Sequence, residues 1–183
     1  MPNLELRPKL LALKPGTRIV SHDFSMDPWQ PDEHVAMDAA ARLDGSGGTS
    51  DIYLWRVPAR VAGRWTWDFE VSGQQRRYEL QLEQRFQMLS GTARADGRSV
   101  RIDSARLNGA DLRLEFTVVV NGSRVKHVLD GKVDGDTVSG SASLSGDRIR
   151  SRRDWVARRT MRSADLTDVV EPTGYALRPQ SMH

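Results

Sequence analysis

From residue 65 onward the chain alternates. Trp65, Trp67, Phe69 and Val71 are separated by Thr66, Asp68 and Glu70, the period of two expected of a strand with one buried face. The alternation returns in Tyr78, Leu80 and Leu82, and again in Leu112, Leu114, Phe116, Val118 and Val120. It continues through Val125, His127, Leu129, Gly131 and Val133, then Val138, Gly140, Ala142 and Leu144. Trp155 and Ala157 mark a last, short strand. Asp96-Gly97, Asn108-Gly109, Asn121-Gly122 and Asp134-Gly135 punctuate the runs; Asn-Gly and Asp-Gly favour the positive φ angles of tight hairpins. The pattern predicts a mainly β chain: an antiparallel up-and-down meander or barrel of about eight strands over residues 62–159. Closure would remove the exposed edges of a flat meander, and Gly91, Gly131 and Gly140 in the inward register would permit tight coiling. Residues 89–93 and 129–133 form a weak internal echo.

The first 61 residues have a different texture, that of a small α/β segment. Leu6, Leu10 and Leu13, with Leu11 beside them, give one apolar face to a helix over residues 6–13. Pro8 is expected near its first turn, where a missing N–H is tolerated, and Lys14-Pro15-Gly16 stops it. Residues 18–24 and 52–57 read as two strands, joined by a long connection rich in Asp, Pro and Gly; loops of that length are usually functional or mobile. The second strand is apolar on both faces, with Ile52 and Leu54 on one and Tyr53, Trp55 and Val57 on the other. Such a strand expects cover on two sides: from the barrel, from a second copy or from a separate chain. Self-association by symmetric pairing of an exposed strand edge is the expectation. After Arg159 the periodicity fades, and residues 160–183 read as a tail.

Residues 3–11 (Asn-Leu-Glu-Leu-Arg-Pro-Lys-Leu-Leu) and 14–24 (Lys-Pro-Gly-Thr-Arg-Ile-Val-Ser-His-Asp-Phe) together resemble part of a class I S-adenosylmethionine-dependent methyltransferase. More narrowly, they are similar to bacterial methyltransferase-domain proteins with a β-rich C-terminal extension. The resemblance implies a leucine-rich helix and a strand, an Asp/Trp/Pro loop like residues 26–32, and a final antiparallel strand like Tyr53-Leu54-Trp55-Arg56-Val57-Pro58-Ala59. The family holds its cofactor on an early strand with a Gly-rich turn and on an acidic residue closing the next strand. Neither occurs in these 183 residues; Gly45-Ser46-Gly47-Gly48 follows an Ala-rich stretch and opens no helical pattern, so it reads as a flexible loop. No cofactor-binding residue is expected, and S-adenosylmethionine is implied only if a separate methyltransferase half supplies its site. The expectation is a methyltransferase-related C-terminal region, not catalytic alone, with the barrel as a binding or scaffolding module. The alternative is a stand-alone barrel that binds a small apolar ligand or a protein partner.

Composition narrows the chemistry. With 38% hydrophobic and 28% charged residues the chain is of the globular class. It has no cysteine, which excludes disulfides, thiolate zinc sites and thiol catalysis. That absence does not fix a compartment; cytoplasmic is the default and export stays open. No apolar run approaches the roughly 20 residues of a membrane helix, and residues 1–20 lack the pattern of a secretory leader. A net charge of +3 is too small an excess for a dedicated nucleic-acid binder. Four scattered histidines have no metal-ligand spacing. His34 is expected to be solvated and His127 to be a core histidine.

His22 and Asp23 are the candidate catalytic pair. They lie at the carboxyl end of the first strand, the side on which open α/β sheets place ligands, and a histidine beside a carboxylate can orient a substrate or move a proton. The competing account is hydrogen bonding within the loop. Trp29, Trp65 and Trp67 are the candidate ligand contacts; Trp65, Trp67 and Trp155 either line a barrel cavity or plug it. The arginines at 148, 150, 152, 153, 158, 159 and 162 either meet an acidic partner or nucleic acid, or form a solvated face. No serine has the frame of a nucleophile elbow.

Overall fold

A computed structural model describes residues 2–39, 48–71, 73–147 and 149–163. Helix α1 (Pro2–Leu11) opens the chain. Strands β1 (Arg18–His22), β2 (Glu33–Ala39) and β3 (Gly48–Arg56) form a small antiparallel sheet in the order β1-β3-β2. Nine more strands follow: β4 (Gly63–Val71), β5 (Gln74–Arg85), β6 (Met88–Ala95), β7 (Arg98–Arg101), β8 (Ser104–Asn108), β9 (Asp111–Val120), β10 (Ser123–Asp134), β11 (Thr137–Gly146) and β12 (Ile149–Arg162). They make one antiparallel sheet in the order β7-β6-β5-β4-β12-β11-β10-β9-β8, curled into a half-barrel.

The meander is therefore joined between its first and last strands, β4 and β12, and it opens between β7 and β8. These two are consecutive in the chain and share one place in the wall. β7 pairs with β6, the chain turns at Ile102-Asp103, and β8 pairs with β9. The turn is fastened to both neighbours: the Ile102 N–H donates to the Gly91 carbonyl (3.1 Å) and the Asp103 N–H to the Glu115 carbonyl (2.8 Å). The curled meander appears as its pattern predicts, but closure is incomplete and the two short strands remain as edges.

The alternation finds its core. Trp65, Trp67, Phe69 and Val71 are buried, as are Tyr78, Leu80 and Leu82 and the apolar set of β9 to β12, in one cluster that fills the curl. Trp67 stacks on Tyr78 (centroids 5.4 Å apart) and meets Trp155 edge-on (5.8 Å). Glycines let the strands approach: a Cβ on Gly91 would run into the Gln81 carbonyl, and one on Gly131 would lie 2.8 Å from the Trp155 ring. Asp96-Gly97 and Asn121-Gly122 both take positive φ, as their turns require.

Three local features differ from the sequence pattern. Residues 33–39, expected to be loop, form β2, because β3 supplies its ladder from Glu33 opposite Leu54 to Ala39 opposite Gly48. The last strand is not short: it runs 14 residues to Arg162, past the point where apolar alternation ends, because β4 and β11 supply its ladder. Helix α1 spans Pro2–Leu11 and not residues 6–13, so Pro8 lies inside it and Leu13 lies past its end; Leu10 and Leu11 turn inward, while Leu6 and Leu13 stay exposed. The Gly45-Ser46-Gly47 loop and residues 164–183 lie outside the described residues. No helix among the described residues is long and apolar enough to cross a membrane.

Candidate functional site

The small sheet is anchored to the barrel by a second, smaller core. Trp55 and Val57 are fully buried with Met26, Trp29 and Phe86, and Leu10, Leu11, Ile19 and Tyr53 pack against them. Phe86, in the β5–β6 turn, takes φ 55, an uncommon angle for a bulky residue, and its ring stacks on Trp29 at 6.0 Å. The Trp55 indole N–H donates to the Trp29 carbonyl at 2.9 Å. Beside this cluster, Gln84 uses its whole amide. Its Oε1 accepts from the Val61 (2.7 Å) and Ala62 (3.3 Å) N–H groups, and its Nε2 donates to the Ala59 (2.8 Å) and Phe86 (2.7 Å) carbonyls. Trp55 and Val57 are thus covered from within the chain, while Tyr53 on the same face stays half-buried.

His22 and Asp23 lie at the far end of this sheet. His22 is the last residue of β1, opposite Ile52. Its Nε2 meets the Ser50 hydroxyl, and its Nδ1 is 3.5 Å from Asp23 Oδ2. Asp23 takes φ 60 and extends the ladder by one residue. Its N–H donates to the Asp51 carbonyl (2.7 Å), while its Oδ1 accepts from the Asp51 N–H (2.8 Å) and the Ser50 hydroxyl (3.3 Å). On the opposite face His34 joins Asp51 (2.7 Å) and stacks on Tyr53 at 4.5 Å. Partial burial raises the Tyr53 pKa, and the carboxylates of Asp51, Asp27 and Asp23 push it further in the same direction. This end of the sheet is acidic.

Ser50, His22 and Asp23 are in the contact order of a nucleophilic relay, at an exposed end of the sheet. The adjacent backbone N–H groups, those of Asp23 and Asp51, are already engaged, so they cannot form an oxyanion site. The His22 side chain is 61% exposed, where water screens any charge it develops. The arrangement closes the β1–β3 ladder. Among the described residues no cluster of His, Asp or Glu is arranged to hold a metal ion.

The structure separates the other candidates. Trp29 belongs to the junction core and is fully buried, while Trp65 and Trp67 belong to the barrel core. The Trp65 N–H donates to the Val61 carbonyl (2.8 Å), and the Arg159 guanidinium lies 4.8 Å above its ring. Buried His127 accepts from the Tyr78 hydroxyl (3.0 Å) and stacks on Phe116 at 4.9 Å. The arginines of β12 divide by position. Arg150, Arg152 and Arg158 face solvent, whereas Arg153 lies over Phe69 and Arg159 bonds Asp136 and the carbonyls of Arg60, Ala62 and Gly135. Grooves lie on the outside: about 490 Å³ beside the β7–β8 opening, lined by Glu83, Ser90, Arg101 and Asp103, and about 930 Å³ beside Lys14, Arg60 and Lys132.

This chain matches no family model, no curated protein and no solved structure.

Two features went unseen in the sequence. Gln84 carried no signal beyond being a glutamine in the inward register of β5, next after Tyr78, Leu80 and Leu82. Ser50 lies beside the glycine loop and meets His22 only through strand pairing across 28 residues.

Proposed function

We propose that the chain is a methyltransferase-related C-terminal region, not catalytic alone, in which the barrel is a solid scaffold presenting the small sheet to a partner. One observation carries this reading. β1 and β3 pair antiparallel, Arg18 opposite Arg56 and His22 opposite Ile52, directly after helix α1. Helix, strand and final antiparallel strand come in the order that the resemblance implies, with β2, which it does not imply, inserted between β1 and β3. The packed curl also favours surface binding over a ligand held inside, since Trp65, Trp67, Tyr78, Phe116 and Trp155 occupy its interior. Under this reading S-adenosylmethionine enters only with a cofactor-binding half supplied by other polypeptide, because among the described residues no Gly-rich turn opens a helix N-terminus that could hold it.

Titration calorimetry on the purified chain tests the reading. No saturable S-adenosylmethionine site is expected, and a micromolar site on the chain alone would overturn it. The coding sequence upstream of Met1 is a second test. An open frame carrying a strand and a Gly-rich turn supports the proposal, and an unrelated frame opposes it.

A further inference from the structure

Among the described residues the small sheet is covered around Trp55 on one face, while its other face carries exposed apolar side chains. Strand pairing places Val20, Leu54 and Glu33 in one row, His22, Ile52 and Val35 in the next, and Ser50 beside Met37. Opposite residues on paired strands share a face, so these rows make a single surface directed away from Trp55 and the junction core. Val20 is 65% exposed, Met37 57% and Val35 54%, with Phe24 at 57% beyond the end of β1, and Ile52 and Leu54 are half-buried between them. Contiguous apolar patches of this kind mark interaction surfaces.

The charges on this surface select the occupant. At one end stand Arg18, which has no ion-pair partner among the described residues, and Arg56, joined to Glu33 at 3.0 Å. At the other stand His22, Ser50 and Asp23. The surface is therefore basic at one end, apolar in the middle and acidic at the other end. We propose that it is the interface between two copies of this chain, stacked face to face about a two-fold axis perpendicular to the strands. That operation sets Arg18 of each copy over Asp23 of the other and brings Val20, Ile52, Leu54 and Val35 into register across the interface. The alternative axis, along the strands, would oppose arginine to arginine. This deepens the scaffold reading by naming the partner of the small sheet, and it does not depend on the methyltransferase resemblance.

The size of the surface sets the strength. Three strands about 4.8 Å apart and about five residues long cover roughly 14 by 17 Å, well under the roughly 800 Å² per partner of a standard interface. A weak, reversible dimer follows, with a dissociation constant of roughly 10–100 µM.

Sedimentation equilibrium on the full chain, from about 1 to about 200 µM, reads this directly. The expected result is a mass that rises from monomer toward dimer. Met37→Asp and Val35→Asp, both at exposed positions and each checked by its thermal melt, should hold the chain monomeric. Arg18→Glu should weaken the dimer about tenfold, through two symmetry-related pairs. A strict monomer throughout the range overturns the proposal, as does a dimer untouched by Met37→Asp and Val35→Asp. A monomer that forms a one-to-one complex only with a cofactor-binding half made from the upstream frame also overturns it, in favour of that occupant. S-adenosylmethionine binding by the chain alone would instead sink the methyltransferase reading and leave the pairing standing.

Discussion

His127 accepts a hydrogen bond from the Tyr78 hydroxyl at 3.0 Å inside the barrel, 49 residues away in sequence. The other ring nitrogen, Nδ1, donates to the Val125 carbonyl at 3.1 Å, which leaves Nε2 unprotonated to receive the phenol. Burial holds the imidazole neutral, lowering its pKa to about 4, and pushes the Tyr78 phenol up to about 12. The pair is a neutral polar bridge between β5 and β10 within an apolar core.

Stability should accordingly fall with acid. Above pH 6.5 the histidine is neutral in both states and contributes no slope. Between pH 6.5 and 4 only the unfolded chain takes up the proton, so the folded state loses about 3 kcal/mol across that window. Urea unfolding of the wild type and His127→Phe, compared from pH 7.5 to 4, isolates this effect from the carboxylates. The variant should be less stable at neutral pH, because the Tyr78 hydroxyl is stranded, and its slope below pH 6.5 should be shallower. Parallel slopes would contradict the assignment.

Gln84→Leu should be among the most damaging single changes outside the aromatic core. It leaves two N–H groups and two carbonyls without their partner in a buried site, and each such loss costs about 1–3 kcal/mol. A total of at least about 3 kcal/mol is expected, read from denaturant midpoints. The fluorescence of Trp29 and Trp55, next to this clamp, should change before the barrel unfolds.

Gly91→Ala should destabilise by about 1–3 kcal/mol. The added methyl would meet the Gln81 carbonyl, a backbone atom held in the β5–β6 ladder, and cannot be relieved by a side-chain rotation. Gly97→Ala is the control, since its Cβ would meet nothing but its φ of 76 would be strained. The two variants separate crowding from backbone strain, and only the first should alter amide exchange in β5 and β6.

His22→Ala should leave the fold nearly unchanged, because the ring is exposed and bonds only at a ladder end. Trp67→Ala removes a buried ring that touches Phe69, Tyr78, Phe116 and Trp155, and should cost about 3–5 kcal/mol. If thermal melts rank His22→Ala as the worse of the two, the sheet end carries more of the structure than its contacts indicate.

The β meander was legible in the sequence because half-buried strands write their faces into the chain with a period of two. Every apolar member of the Trp65–Val71, Tyr78–Leu82 and Leu112–Val120 alternations is buried where the pattern places it, and the Asn-Gly and Asp-Gly turns locate the hairpins. β2 was not legible, since a strand exposed on both sides carries no burial contrast to read. The length of β12 was hidden for a related reason: its last residues are held by backbone ladders, which leave no mark on side-chain type. The candidate site divides in the same way. His22-Asp23 was visible because the residues adjoin, whereas Ser50 reaches them only when β3 pairs with β1. Which face of β3 would be covered was equally undecided, because Ile52 and Leu54 are as apolar as Tyr53 and Trp55. Only the tertiary structure chose, by carrying Phe86 and Trp29 onto the Trp55 side. Local periodicity specifies what a strand can bury; which surface meets it depends on contacts between residues far apart in the chain, and no short-range pattern encodes those.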